Sequence, residues 1–98
     1  GTSNLLFVTK NKIYSPIRRY YRGTNFKFYE KKYKIRKRDI PIKTLNNYDE
    51  IILVGSGKGV VSVRSVENIS WKRKKDRIYK IILKTFLKEI KKQKYLYK

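Results

Sequence analysis

The sequence predicts an α+β fold in which a short hairpin and a strand–glycine turn–strand unit form a sheet, with a C-terminal amphipathic helix laid on it. Three observations carry this expectation. An apolar, β-prone run from Asn4 to Val8 is followed by the polar Thr9-Lys10-Asn11-Lys12 and resumes at Ile13-Tyr14. The apolar run Ile51-Ile52-Leu53-Val54 enters Gly55-Ser56-Gly57-Lys58-Gly59 and leaves as the β-branched stretch Val60 to Val66. From Lys75 to Tyr97 the apolar positions Ile78, Ile81, Ile82, Phe86, Leu87 and Ile90 recur at three- and four-residue spacings, with Lys on the opposite side.

The first run reads as a hairpin of two short strands that closes before Ser15-Pro16. Gly23 breaks the next stretch of chain, and from Phe26 to Arg38 the pattern fits strand and helix alike. Alternation over Lys34 to Ile40 favours a strand there, ending at Pro41, whose missing N–H cannot serve a sheet ladder. Thr44 to Tyr48 reads as one helical turn or a loop. No internal repeat is present. With 98 residues the chain forms one domain at most, and a domain of this size buries only roughly 60–65% of the surface it would expose unfolded. It reads as a single incomplete domain over 1–98, whose 72–98 segment is an amphipathic basic helix.

Cys and His are absent, which removes thiolate and imidazole metal sites, Cys or Ser-His nucleophile systems and disulfides. No metal site is expected. The apolar runs fall far short of the ~20 residues that span a bilayer. Met is absent too, and a chain opening Gly1-Thr2-Ser3-Asn4 is expected to be a piece of something longer. The formal net charge is +20, from 27 Lys and Arg against 7 Asp and Glu. Lys outnumbers Arg 19 to 8 while Ala is missing, so part of that charge reads as a compositional bias rather than a function.

The charge lies in two blocks. Residues 17–38 hold ten basic side chains and one acid, and residues 72–98 hold twelve and two, whereas residues 39–71 are nearly neutral. Such blocks could track phosphates, and the interleaved Tyr20, Tyr21, Phe26, Phe28, Tyr29 and Tyr33 could stack on single-stranded bases. A small basic nucleic-acid-binding domain is therefore the alternative function, and an amphipathic helix on anionic membranes a third. The plainer reading is a pair of solvated faces whose aromatics point into the core.

Taken alone, the glycine turn reads first as a plain structural turn, and beside that reading it offers chemistry to a phosphate. Three glycines around Ser56 and Lys58 expose backbone N–H groups with no Cβ in the way, as a phosphate requires for close approach. Lys58 precedes Gly59 and no Ser or Thr follows it, so this is not the nucleotide-binding phosphate loop. A β-branched strand follows the turn instead of a helix, which excludes the dinucleotide fingerprint.

The blocks Thr2 to Val8, Ile13-Tyr14-Ser15-Pro16, Tyr21-Arg22-Gly23-Thr24, Arg38-Asp39-Ile40 and Asp49 to Val63 succeed one another in this order. Together they resemble the C-terminal part of the class-IV aminotransferases. These are the fold-type IV enzymes that use pyridoxal 5′-phosphate, among them branched-chain and D-amino-acid aminotransferases and aminodeoxychorismate lyase. The resemblance covers about residues 2–66 and is most specific in the block around Gly55.

The resemblance implies site residues. Ser56 and Gly57, entered through Gly55, match the turn whose hydroxyl and N–H hold the cofactor phosphate. Gly23-Thr24-Asn25 matches a second phosphate-binding turn at a helix start, where the helix dipole favours an anion, with Asn25 standing where the family has Thr. Asn4 matches an Asn close to the cofactor. The resemblance places the lysine that carries the cofactor and the Glu that pairs with its ring nitrogen upstream of Gly1, so no catalytic residue is expected in this chain. The chain is also shorter than the family between Gly23 and Asp39. The implied partners are a missing N-terminal part of the same protein, a second copy in a homodimer, and an amino acid or aminodeoxychorismate as substrate. Apolar neighbours of Ile51–Val54 left exposed would be covered by the missing half.

Overall fold

Strand β1 (Ser3–Thr9) and strand β2 (Lys12–Pro16) are joined by Lys10 and Asn11, both in the left-handed region with φ of 50° and 62°. Two successive positive φ values match the right-handed twist of the strands they connect, which is why a two-residue link suffices. The computed structural model describes residues 3–17, 24–55 and 59–96. Helix α1 (Thr24–Tyr33) leads to strand β3 (Arg36–Arg38), a 3-10 segment (Ile42–Asn47), strand β4 (Glu50–Gly55) and strand β5 (Gly59–Ser62). Two short strands, β6 (Ser65–Val66) and β7 (Trp71–Lys72), precede the long helix α2 (Arg77–Leu96). The five-stranded sheet has the order β3-β2-β1-β4-β5, with β2 and β3 parallel and the other pairs antiparallel. The hairpin, the strand–turn–strand unit and the terminal helix are thus present, in an α+β arrangement.

Alternation along the strands gives the sheet two dissimilar faces. One collects Leu6, Val8, Ile13, Ile52, Val54 and Val60 under Tyr29 of α1 and Ile82 of α2. The other collects Phe7, Tyr14 and Ile51 under Tyr48 and Trp71, with Leu45, Val66 and Ile69 half-buried against them. Trp71 is wholly inaccessible, and its indole N–H donates to the Tyr48 carbonyl at 3.1 Å.

Three segments depart from the sequence reading. The stretch from Phe26 that fitted either element is helical as far as Tyr33. It closes at Lys34, in the left-handed region with φ of 53°, where the Ile35 N–H donates to the Glu30 carbonyl at 3.1 Å. That closure shortens the expected Lys34–Ile40 strand to Arg36–Arg38.

The strand expected to run from Val60 to Val66 ends its regular pairing at Ser62; the Val63 N–H still donates to the Ile51 carbonyl at 2.9 Å, and β4 offers no partner beyond Glu50. Ser62 already pairs with Ile52, and β4 begins only two residues earlier, at Glu50. The chain then folds onto the second face, and β6 pairs with β7 instead.

The terminal helix begins at Arg77, not at Lys75 or at the edge of the basic block. Lys72 belongs to β7, and the N–H groups of Lys74 and Lys75 are held by the Asp49 carbonyl at 3.0 and 3.3 Å.

Candidate functional site

The glycine turn sits where β4 and β5 meet. Ser3 pairs with Gly55, Asn4 with Val54, and Gly55 with Gly59, so one end of the sheet brings Asn4 and both bounding glycines together. Asn4 shares the helix-covered face with Leu6 and Val8 and is buried, 7% exposed. Gly55 and Gly59 are both buried.

Gly59 has φ of +79°, and a Cβ there would lie 2.8 Å from the Phe86 ring of α2. A side chain is excluded on both counts, so α2 packs directly on the backbone that leaves the turn. Ser56 and Gly57, the expected phosphate-binding pair, lie outside the described residues, as does Gly23. Thr24 and Asn25 open helix α1, the expected position for a phosphate turn at a helix start.

The sequence around the turn places no carboxylate against an anion. No acidic residue occurs between Glu50 and Glu67, while Ser56 and Lys58 lie inside that span. Glu50 itself does not reach the turn. It starts β4 at the other end of the sheet, is 1% exposed, and accepts the N–H groups of Ile78 and Tyr79 at 3.0 Å each. This carboxylate caps the first turn of α2 from a distant strand, as an N-cap side chain otherwise would. Desolvation raises its pKa above the usual carboxylate range, and the two N–H groups pull the other way. In the sequence Glu50 stands beside Asp49 as an acid pair; its capping role had no local signal, because the helix it caps begins far along the chain.

The aromatic residues considered for base stacking divide unequally. Tyr29 is 3% exposed within the helix-side core, and Tyr33 packs against it with rings stacked 6.3 Å apart. The Tyr33 and Thr85 hydroxyls meet in a hydrogen bond that ties α1 to α2. These two rings serve the core, as the plainer reading expected. Tyr20 and Tyr21 lie outside the described residues.

No protein-family model matches the chain, and no curated protein matches it. Solved structures do. The 4-amino-4-deoxychorismate lyase from Pseudomonas aeruginosa aligns with a TM-score of 0.64 at 21% identity, over 85% of this chain and 33% of that one. The branched-chain amino acid aminotransferase from Escherichia coli aligns with a TM-score of 0.68 at 22% identity, over 87% of this chain and 32% of that one. The chain has a fold-type IV fold. It spans about a third of the length of the fold-type IV structures it matches. Helix α2 lies beyond the span in which sequence resemblance was visible, and coverage above 80% takes the structural likeness past it.

Among the described residues no group of acidic residues could hold a metal ion, and no helix is long and apolar enough to cross a membrane.

Proposed function

We propose that this chain is the C-terminal, cofactor-phosphate-binding part of a pyridoxal-phosphate-dependent aminotransferase or aminodeoxychorismate lyase, inactive without its N-terminal part. The observation that carries the reading is the fold-type IV fold together with the convergence of Asn4, Gly55 and Gly59 at one end of the sheet. Ser56 would donate its hydroxyl and Gly57 its N–H to the phosphate. Thr24 and Asn25 would add a second set of donors at the start of α1, where the helix dipole attracts an anion. Asn4 would border the cofactor from β1. Pyridoxal phosphate, when bound, supplies the electron sink for carbanion chemistry at an amino acid's α-carbon. This chain's own residues anchor and orient it by the phosphate; the lysine that carries it and the acid facing its ring nitrogen belong to the N-terminal part.

A row of apolar side chains supports the existence of a covering part. Leu5, Leu53 and Val61 are register partners across β1, β4 and β5, and Leu5 and Val61 remain 39% and 43% exposed. They are the exposed neighbours of Ile51–Val54 that the missing half is expected to bury. A second copy of the protein would complete a homodimer, and the substrate would be an amino acid or aminodeoxychorismate.

The test is a titration of the whole protein with pyridoxal phosphate, monitored by visible absorbance. A saturable band that shifts when an amino-acid substrate is added is expected. Ser56→Ala should weaken cofactor binding about tenfold, the loss of roughly one charge-assisted hydrogen bond. A whole protein with a featureless visible spectrum would overturn the reading.

A further inference from the structure

A second polar site lies at the opposite end of the sheet from the glycine turn. There the β1–β2 turn, β3 and the 3-10 segment enclose a cavity of about 580 Å³, lined among others by Lys10, Lys12, Tyr14, Arg38, Asp39 and Tyr48. Six residue steps along β1 separate Ser3 from Thr9, or about 20 Å at ~3.4 Å per residue. The cavity also opens on the second face, whereas Asn4 lies on the helix-covered one. It is therefore distinct from the proposed cofactor site and does not depend on it.

Arg38 is the informative residue. Its guanidinium lies over the Tyr14 ring, 4.1 Å from the centroid. A side-chain hydrogen bond with Tyr48 is the main cause that raises its pKa above the ordinary arginine value, and the neighbouring Tyr14 adds to it. Tyr14 and Tyr48 are themselves fixed, at 7% and 3% exposure, by edge-on ring contact 6.3 Å apart. The two buried rings thus give the guanidinium a seat at the cavity wall that adds no acidic side chain against it. Among the described residues neither Arg38 nor Lys10 or Lys12 forms an ion pair, although Asp39 is in the same lining.

Three cations against one carboxylate leave the cavity wall at +2. That charge complements a dianion, and a guanidinium seated on the Tyr14 ring beside two exposed ammonium groups suits the three oxygens of a phosphate. The volume falls within the roughly 300–1,000 Å³ of small-molecule sites, larger than a bare phosphate needs.

We propose that the cavity bounded by Lys10, Lys12 and Arg38 binds a phosphate monoester of about mononucleotide size. The phosphate meets Arg38 and the two lysines, and the remainder of the ligand rests between the β1–β2 turn and the 3-10 segment.

The experiment titrates the whole protein with AMP and with inorganic phosphate at about 150 mM salt, where exposed charges are screened beyond ~8 Å. Calorimetry reads the binding. The part of the fluorescence change that is lost in Trp71→Phe assigns it to this site, because the Trp71 indole bonds to the backbone of Tyr48 in the cavity wall. Saturable binding is expected, tighter for AMP than for inorganic phosphate. It should weaken as pH falls through about 6, where a phosphate monoester gains its second proton while Arg and Lys stay charged.

Arg38→Gln should weaken AMP binding at least tenfold, and the double substitution Lys10→Gln with Lys12→Gln should do the same. The second variant changes only exposed side chains at the hairpin turn, so it tests the site even if loss of Arg38 disturbs the fold. Ser56→Ala should leave AMP binding unchanged. Non-saturating binding, or affinity indifferent to both charge variants, would overturn the proposal. So would loss of binding in Ser56→Ala, which would move the phosphate to the glycine turn. Tighter binding of a single-stranded RNA through the same three cations would replace the small ligand by a polymer.

Discussion

The two faces of the central sheet are closed in different ways. The helix-side face is aliphatic and is covered by two regular helices, the longer of which has apolar residues recurring with helical spacing. The second face is aromatic and is covered by pieces too short to be regular: a six-residue 3-10 segment and two strands of two residues each. A long helix satisfies its own backbone and needs from the sheet only apolar contact, with many positions sharing the load. Short segments cannot satisfy their own backbone groups, so they depend on a few specific bonds and on one large side chain. Stability on the second face should accordingly be concentrated in single residues.

The largest predicted effect tests that concentration. Trp71→Ala removes a fully buried indole together with its 3.1 Å bond to the Tyr48 carbonyl. The expected loss is about 3–5 kcal/mol, a large share of the total for a domain this small. Ile82→Ala on the helix side, also fully buried, should lose less, nearer the low end of about 2–5 kcal/mol, because α2 can settle onto the sheet. Urea unfolding of both variants checks the ranking, and an equal or greater loss at Ile82 would break the comparison.

Glu50 is where the helix side departs from the rule, since α2 borrows its N-terminal acceptor from β4. Glu50→Ala leaves the N–H groups of Ile78 and Tyr79 without that acceptor, an expected loss of about 2–3 kcal/mol. Glu50→Gln keeps one acceptor oxygen and removes the buried charge, so it should lose clearly less than Glu50→Ala. The pH dependence has a definite sign. Because burial raises the carboxyl's pKa in the folded state above 4.5, the folded chain holds more protons than the unfolded one between 4.5 and that higher value. Stability from this group is fully present below 4.5 and is lost as pH rises through the folded pKa. Urea unfolding as a function of pH should show that decline in the unaltered chain relative to Glu50→Gln, and parallel curves would refute it.

Gly59→Ala probes the contact between α2 and the glycine turn. The residue has φ of +79°, and an added Cβ meets the Phe86 ring at 2.8 Å, so strain and overlap act together for an expected loss of about 1–3 kcal/mol. Combining it with Phe86→Ala should remove the overlap and leave the backbone strain, making the two changes less than additive. Thermal unfolding of the two single variants and the double variant measures that coupling.

These residues also show which parts of the structure the sequence could convey. The β1–β2 hairpin, the strand into Gly55 and the apolar stripe of α2 were legible because each repeats a local period. The second face was not, because Trp71, Tyr48 and Val66 come from separate short segments whose meeting is a tertiary event. Helix α1 stayed ambiguous because Phe26 and Phe28 alternate as in a strand, and the positive φ at Lys34 that closes it has no glycine to announce it. The resemblance singled out Asn4 and Gly55, and the β1–β4 register brings them to the same end of the sheet. The Arg38 cavity was not legible, since only folding brings the β1–β2 turn against the 3-10 segment.

The smallest predicted effect concerns a row on the second face that its short segments leave exposed. Leu5 and Val61 flank Leu53 in a single cross-strand row, and both are more than a third exposed. If nothing covers that row, Val61→Thr exchanges a methyl for a hydroxyl at a solvated, β-favouring position, and stability should change by no more than about 0.5 kcal/mol in the isolated chain. The same substitution in the whole protein should be felt more, because a hydroxyl buried under an N-terminal part would lack water and a ready partner. Urea unfolding of isolated chain and whole protein, each with and without Val61→Thr, gives the difference directly. A loss confined to the whole protein places its remaining part on the Leu5–Leu53–Val61 row; equal small changes in both would mean that this row faces solvent there too.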